Sequence, residues 1–205
     1  MLAAERDTTI ADYADGLLSP LGLTQIAPRI WIDGSAPPAR RMFQFALLKG
    51  SGMKTMWGYS LDFVPHFSGR DLRWHRTDKN ARLDVVVDPR GLKQYSSLFG
   101  SDHLRRELEQ HLPAAVNRAK ETWTRGSSWE GMLEILEEVR EPGTYCFGFY
   151  NYTQVPLAYA FLSAKVGNLA AAEAELGSYC RLFKISDEIA ARLVAHARSL
   201  AEAQD

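Results

Sequence analysis

Hydrophobic residues change their spacing twice along this chain. Between Thr8 and Leu18, the residues Ile10, Tyr13, Ala14, Leu17 and Leu18 recur at three- and four-residue intervals, the period of one helical face. Asp7 or Thr8 stands where a cap is wanted, and Ser19-Pro20 ends the helix. From Leu23 to Pro89 the period is two. Ile26, Ile30 and Ile32 mark a first strand, Phe43, Phe45 and Leu47 a second, and Trp57, Tyr59, Leu61 and Phe63 a third. The connections Asp33-Gly34-Ser35-Ala36-Pro37-Pro38 and Gly50-Ser51-Gly52 are short, so neighbouring strands are expected to run antiparallel. Leu72-Arg73-Trp74-His75-Arg76 and Leu83-Asp84-Val85-Val86-Val87 predict two more strands around the polar turn Thr77-Asp78-Lys79-Asn80, with Pro89 closing the sheet.

Beyond Gly100 the spacing is helical again. Leu104, Leu108, Leu112, Val116, Ala119 and Trp123 form one stripe of a long helix opened by Ser101 or Asp102, which Pro113 should kink or split. Ser127-x-x-Glu130 has the form of a capping box, and Trp129, Met132, Leu133, Leu136 and Val139 give the next buried face. Pro142-Gly143 stops it. The aromatic stretch from Tyr145 to Tyr152 fits a short strand or the start of a helix equally well. From Val155 two alanine-rich helices flank Gly167-Asn168, and a third opens at Ser186-Asp187-Glu188. Small and aromatic residues at Ala158, Tyr159, Leu162, Gly167, Ala172 and Leu176 resemble a tetratricopeptide-type hairpin. They cover only about one repeat, fewer than the three a solenoid needs, so they read as a local packing solution.

The fold class is therefore α+β. An N-terminal helix and an antiparallel sheet of four or five strands occupy residues 1–100, and an all-helical half, residues 101–205, covers one sheet face, the two packed as one compact unit. The front half, through Leu21-Gly22-Leu23, Arg29-Ile30-Trp31, Phe43-Gln44-Phe45-Ala46-Leu47 and Tyr59-Ser60-Leu61-Asp62-Phe63, resembles a group of uncharacterised bacterial domains, the domain of unknown function numbered 4304. The resemblance is one of strand pattern over roughly the first ninety residues. It implies an α+β domain with no assigned activity and transfers no functional residue.

Lys49-Gly50-Ser51-Gly52-Met53-Lys54-Thr55 has the look of a phosphate-binding loop. A true P-loop needs G-x-x-x-x-G-K-[ST] between a strand and a helix, so that the helix N-terminus and loop amides cradle phosphate. Here Met53 separates Gly52 from Lys54, and a strand follows. The segment reads as a hairpin turn with Lys54 at its tip.

Composition narrows the function classes. With 24 basic and 25 acidic residues the formal charge is −1, so no overall field attracts nucleic acid or an anionic membrane surface. No apolar run approaches the roughly 18 residues of a membrane span, and no signal peptide is visible. Cys146 and Cys180 lack C-x-x-C spacing and read as half-buried free thiols, which suits a reducing cytoplasm. No cofactor motif is present. No pair among His66, His75, His103, His111 and His196 has the H-x-x-x-H spacing of a helical zinc pair, so no metal is expected.

If Trp57, Tyr59, Leu61 and Phe63 face the helices, then Gly58, Ser60, Asp62, Val64 and His66 point to the other side of the sheet. The same alternation places Arg29, Trp31, Gln44, Ala46, Arg73, His75 and Asp84 on that outer face. Arg29, Trp31, Gln44, Ser60, Asp62 and His75 are thus the expected ligand or partner face, with Trp31 beside Arg29 as an interface anchor. An ordinary solvated sheet face is the plainer alternative. No G-x-S-x-G elbow or activated cysteine is present. The function this favours is a non-enzymatic binding or protein-interaction module, taking an unknown protein or a small polar ligand on the outer sheet face or the C-terminal helices. The alternative is a hydrolase-like small-molecule enzyme with Asp62, His66 and His75 as acid/base or ligand groups. Leu193, Val194 and Leu200 would suit a homodimer in either case.

Overall fold

In the computed structural model, which describes residues 2–34, 38–68, 71–74, 77–88, 91–141 and 149–203, the period-two stretch folds as an antiparallel sheet and the later half as helices. Helix α1 (Ala3–Leu18) starts at Ala3, and neither Asp7 nor Thr8 caps it. The strands that follow are β1 (Thr24–Ala27), β2 (Ile30–Ile32), β3 (Ala39–Leu47), β4 (Gly52–Leu61), β5 (His66–Ser68), β6 (Asp71–Arg73), β7 (Val85–Val87) and β8 (Tyr95–Ser96). The main sheet runs in the order β1-β2-β3-β4-β7, and β8 pairs with the start of β4 along the edge that β7 occupies further on. Strands β5 and β6 form a separate ribbon in which His66 pairs with Arg73.

Two expected strands are redrawn. The run from Leu23 to Ile32 is a hairpin of β1 and β2, because the chain turns at Pro28-Arg29, with Arg29 at a left-handed φ of 68°. Residues Leu72 and Arg73 belong to the small ribbon instead of the sheet. His75, Arg76 and Pro89 lie outside the described residues.

Register assigns the faces. Residues directly opposite one another share a side of a sheet, and Trp31 stands opposite Phe43, which stands opposite Trp57. Trp31 is therefore on the helix-facing side. It is fully buried, with its indole N–H donating to Asp15 at 2.6 Å, and it meets Phe45 edge-on. The expected exposed anchor is a core residue. Alternation failed to reveal this because Ile30-Trp31-Ile32 is apolar on both faces, so only the partner strand decides which way each side chain points.

Helix α2 (Ser101–Arg125) lies on this side and is tied to β4 at three points. Trp57 Nε1 donates to Thr122 Oγ1 at 2.9 Å, the Tyr59 hydroxyl to the Trp123 carbonyl at 2.8 Å, and Trp123 Nε1 to the Gly58 carbonyl at 3.1 Å. The stripe from Leu104 to Trp123 is buried as its spacing implies. Pro113 does not split the helix, which runs through it.

Helix α3 (Trp129–Arg140) is capped by Ser128, whose hydroxyl accepts from the Gly131 N–H, one residue later than the Ser127-x-x-Glu130 pattern suggested. Of the aromatic stretch, Phe149–Asn151 forms a single 3-10 turn, and residues 145–148, Cys146 among them, lie outside the described residues. Helix α4 (Gln154–Lys165) is buried from Val155 to Ala164 and packs against α3, α5 (Leu169–Phe183) and α6 (Asp187–Glu202). A helix apolar on all sides requires such a surround. Leu193 of α6 is fully buried within the chain, while Val194 and Leu200 are half-buried, so Leu193 is not available as a dimer contact.

Candidate functional site

The outer face of the sheet is covered. Met42, Met56, Ser60 and Val86, all on that side by register, are buried, and Gln44 is half-buried with its amide 3.8 Å from the Met56 sulfur. Strand β4 is consequently buried on both faces. The segment before β7 lies over it: the Ser60 hydroxyl accepts the Arg82 N–H at 3.2 Å, and Arg40, opposite Ser60, pairs with Asp62 and lies 3.0 Å from Asp78. The Asp84 carboxylate accepts the Leu61 N–H at 2.7 Å while its own N–H donates to the Tyr59 carbonyl, which extends the β4 ladder. It is thereby a backbone brace.

The expected site residues are dispersed by this arrangement. Ser60 and Asp62 come together around Arg40, a buried cation that the apolar alternation of Phe43, Phe45 and Leu47 does not single out. His66 is buried in the β5–β6 ribbon, and Arg29 sits in the β1–β2 turn, 3.4 Å from Asp7 of α1. His75 lies outside the described residues. Lys54 is not at a hairpin tip either: it is inside β4, buried, and paired with Asp88.

A different concavity opens on the helix-facing side of the sheet. A cleft of about 580 Å³ opens between the strand positions Ala39, Arg41 and Tyr59 and the turn joining α2 to α3, where Trp123, Gly126 and Trp129 line it with Glu130 and Met132. This volume lies in the range of small-molecule pockets, which are typically apolar and aromatic with a few fixed polar groups. Its walls are tied together by hydrogen bonds and ring contacts. Arg41 donates to Asp33 through Nη2 at 2.6 Å and Nε at 3.1 Å and to the Leu21 carbonyl at 2.9 Å, which sets its guanidinium 5.6 Å from the centre of the Trp123 ring. Trp129 meets Phe63 edge-on at 5.4 Å. A Cβ on Gly126 would come within 2.6 Å of the Tyr59 ring, so glycine is what lets the turn approach the sheet.

Burial pushes the Tyr59 hydroxyl well above its ordinary pKa, the nearby Arg41 only partly opposing, so it stays a neutral donor committed to the Trp123 carbonyl. The cleft thus offers aromatic surface, an Arg41 guanidinium held by Asp33, and the polar side chains of Ser127, Ser128 and Glu130. Its residues were legible only as packing tryptophans. Trp123 and Trp129 flanking Gly126-Ser127-Ser128 are the trace it leaves in the sequence.

The remaining histidines are apart from it. His196 Nε2 is 3.0 Å from the Phe63 carbonyl, between Trp74 and Phe161, and His103 approaches Glu107 at 3.5 Å. Among the described residues no three His, Cys, Asp or Glu side chains gather as a metal-ligand set. Cys180 is a half-buried free thiol whose pKa burial raises. No helix is long and apolar enough to cross a membrane among the described residues. Compared with protein-family models, curated proteins and solved structures, the chain matches none.

Proposed function

We propose that this protein is a non-enzymatic binding module whose ligand is a small molecule with a flat apolar face, held in the cleft between Tyr59, Trp123 and Trp129. The observation that carries this is the pairing of aromatic walls with a pre-oriented Arg41, since a planar ligand gains from the ring faces and from a cation held beside them. Binding is favoured over hydrolysis by the state of Asp62, whose carboxylate is engaged by Arg40 and sits away from the cleft walls. A reducing cytoplasmic setting, supported by cysteine usage, and kinship of the front half with the domain of unknown function numbered 4304, supported by strand pattern, belong to the same proposal.

Titration with indole, quinoline and adenine, followed by NMR of the tryptophan indole N–H and Gly126 amide signals, tests it. At least one of these probes is expected to shift the Trp123 and Trp129 signals saturably, and Trp129→Ala to abolish the shift. Absence of any saturable shift at millimolar probe would overturn the proposal.

A further inference from the structure

A second cavity, of about 470 Å³, lies between α2 and the segment that leads into β8, and its charge is one-sided. Lys93, His111 and Arg118 line it, and among the described residues no acidic one does. His111 and Arg118 are seven apart on α2, so they stand on one helix face two turns from each other, with the small side chains of Ala114 and Ala115 leaving room between them. Glu107, one turn before His111, is already engaged. It takes Lys93 at 3.1 Å and the Ser96 N–H at 2.8 Å, and although burial alone would raise its carboxyl, these two partners hold the pKa below the ordinary value. Arg118 and His111 have no carboxylate partner among the described residues.

The inner wall is formed by Thr55 and Tyr95, both buried, with their hydroxyls turned toward one another.

We propose that this cavity binds a small organic anion, with its phosphate or carboxylate head between Arg118 and His111 and its carbon part against Leu92 and Ala114. The site shares no lining residue with the aromatic cleft, so it stands or falls separately.

Calorimetric titration of the full chain with phenyl phosphate, benzoate and benzyl alcohol tests it. One or both anions are expected to bind saturably and the neutral alcohol not to bind; which anion binds identifies the head group. Arg118→Gln is expected to weaken that binding about tenfold, whereas Lys120→Gln, an equal loss of charge elsewhere on α2, leaves it unchanged. His111→Gln should weaken it as well, and because Arg118 is exposed, its variant carries the test if the His111 variant fails to fold. Failure of both anions to bind, equal binding of the alcohol, or equal weakening by Lys120→Gln would overturn the assignment.

Discussion

Lys54 and Asp88 form an ion pair on the outer side of the sheet with only 11% and 4% of their side chains exposed, and the Tyr152 hydroxyl donates to the same carboxylate at 3.0 Å. The lysine of the P-loop-like segment therefore closes a contact between β4 and the end of β7. Its partner is a protein carboxylate.

Removing one member of this pair strands a charge in a low-dielectric site. Lys54→Ala and Asp88→Ala are each expected to destabilise the fold by about 3–5 kcal/mol, while the double change Lys54→Met with Asp88→Leu costs far less, because no charge is then left buried. Urea unfolding of the three variants decides this. Single variants no worse than an ordinary surface change, about 0.5 kcal/mol, would show that water reaches the pair.

Gly58 makes a sharper demand on the backbone. Its φ is 148°, and a Cβ there would stand 1.7 Å from the Val85 carbonyl oxygen, inside the β4–β7 pairing. Gly58→Ala is expected to cost about 4 kcal/mol or more, among the large values tied to a named steric cause. Gly50, at φ 78° with open space around its Cβ position, provides the control: Gly50→Ala should cost only the conformational strain, about 1–2 kcal/mol. Thermal unfolding that ranks the two equally would remove the case for a close approach at Gly58.

How much of this could be read from the residues depended on whether each segment had two distinguishable faces. The α2 stripe from Leu104 to Trp123 and the β4 alternation from Trp57 to Leu61 contrast apolar with polar neighbours, and both are where the spacing put them. Ile30-Trp31-Ile32 has no such contrast, so Trp31 was assigned to the wrong side. Arg40 and Arg41 were passed over for a related reason. They lie at the β3 end, where charged residues look like a turn, and what makes one a buried hub and the other a cleft wall is contact with Asp62, Asp78 and Asp33, residues remote in sequence or across a connection. The aromatic cleft was invisible because a tryptophan lining a pocket and one filling a core have the same local pattern.

Three of the eight tyrosines should resist ionisation until the protein unfolds. Burial pushes Tyr95 up to about 12 and raises Tyr59 and Tyr179 further still. A hydroxyl whose folded pKa is raised contributes stability that is complete below the unfolded value of about 10 and is lost as pH rises above it. A spectrophotometric titration of the native protein is accordingly expected to show these three groups ionising only together with loss of the far-ultraviolet helical signal. Smooth titration of all eight before any unfolding would contradict their burial.

His196 should give the acid side of the same curve. Burial lowers its pKa, and its hydrogen bond to the Phe63 carbonyl, which favours the protonated ring, only partly offsets this. The neutral imidazole sits between Trp74, at 4.4 Å between ring centres, and Phe161, at 5.3 Å. Because the folded pKa lies below the unfolded value of about 6.5, the unfolded chain binds more protons between the two, and stability rises with pH across that window. Stability from this group is present above the unfolded value and is lost as pH falls toward the folded one. Urea midpoints for wild type and His196→Gln, compared at about pH 7.5 and about pH 5.5, isolate the contribution, since glutamine keeps a donor for the Phe63 carbonyl but does not titrate. The wild type is expected to lose more stability on acidification than the variant. Equal losses would mean that the ring charges freely within the fold, and that its place between the two aromatic side chains is open to water.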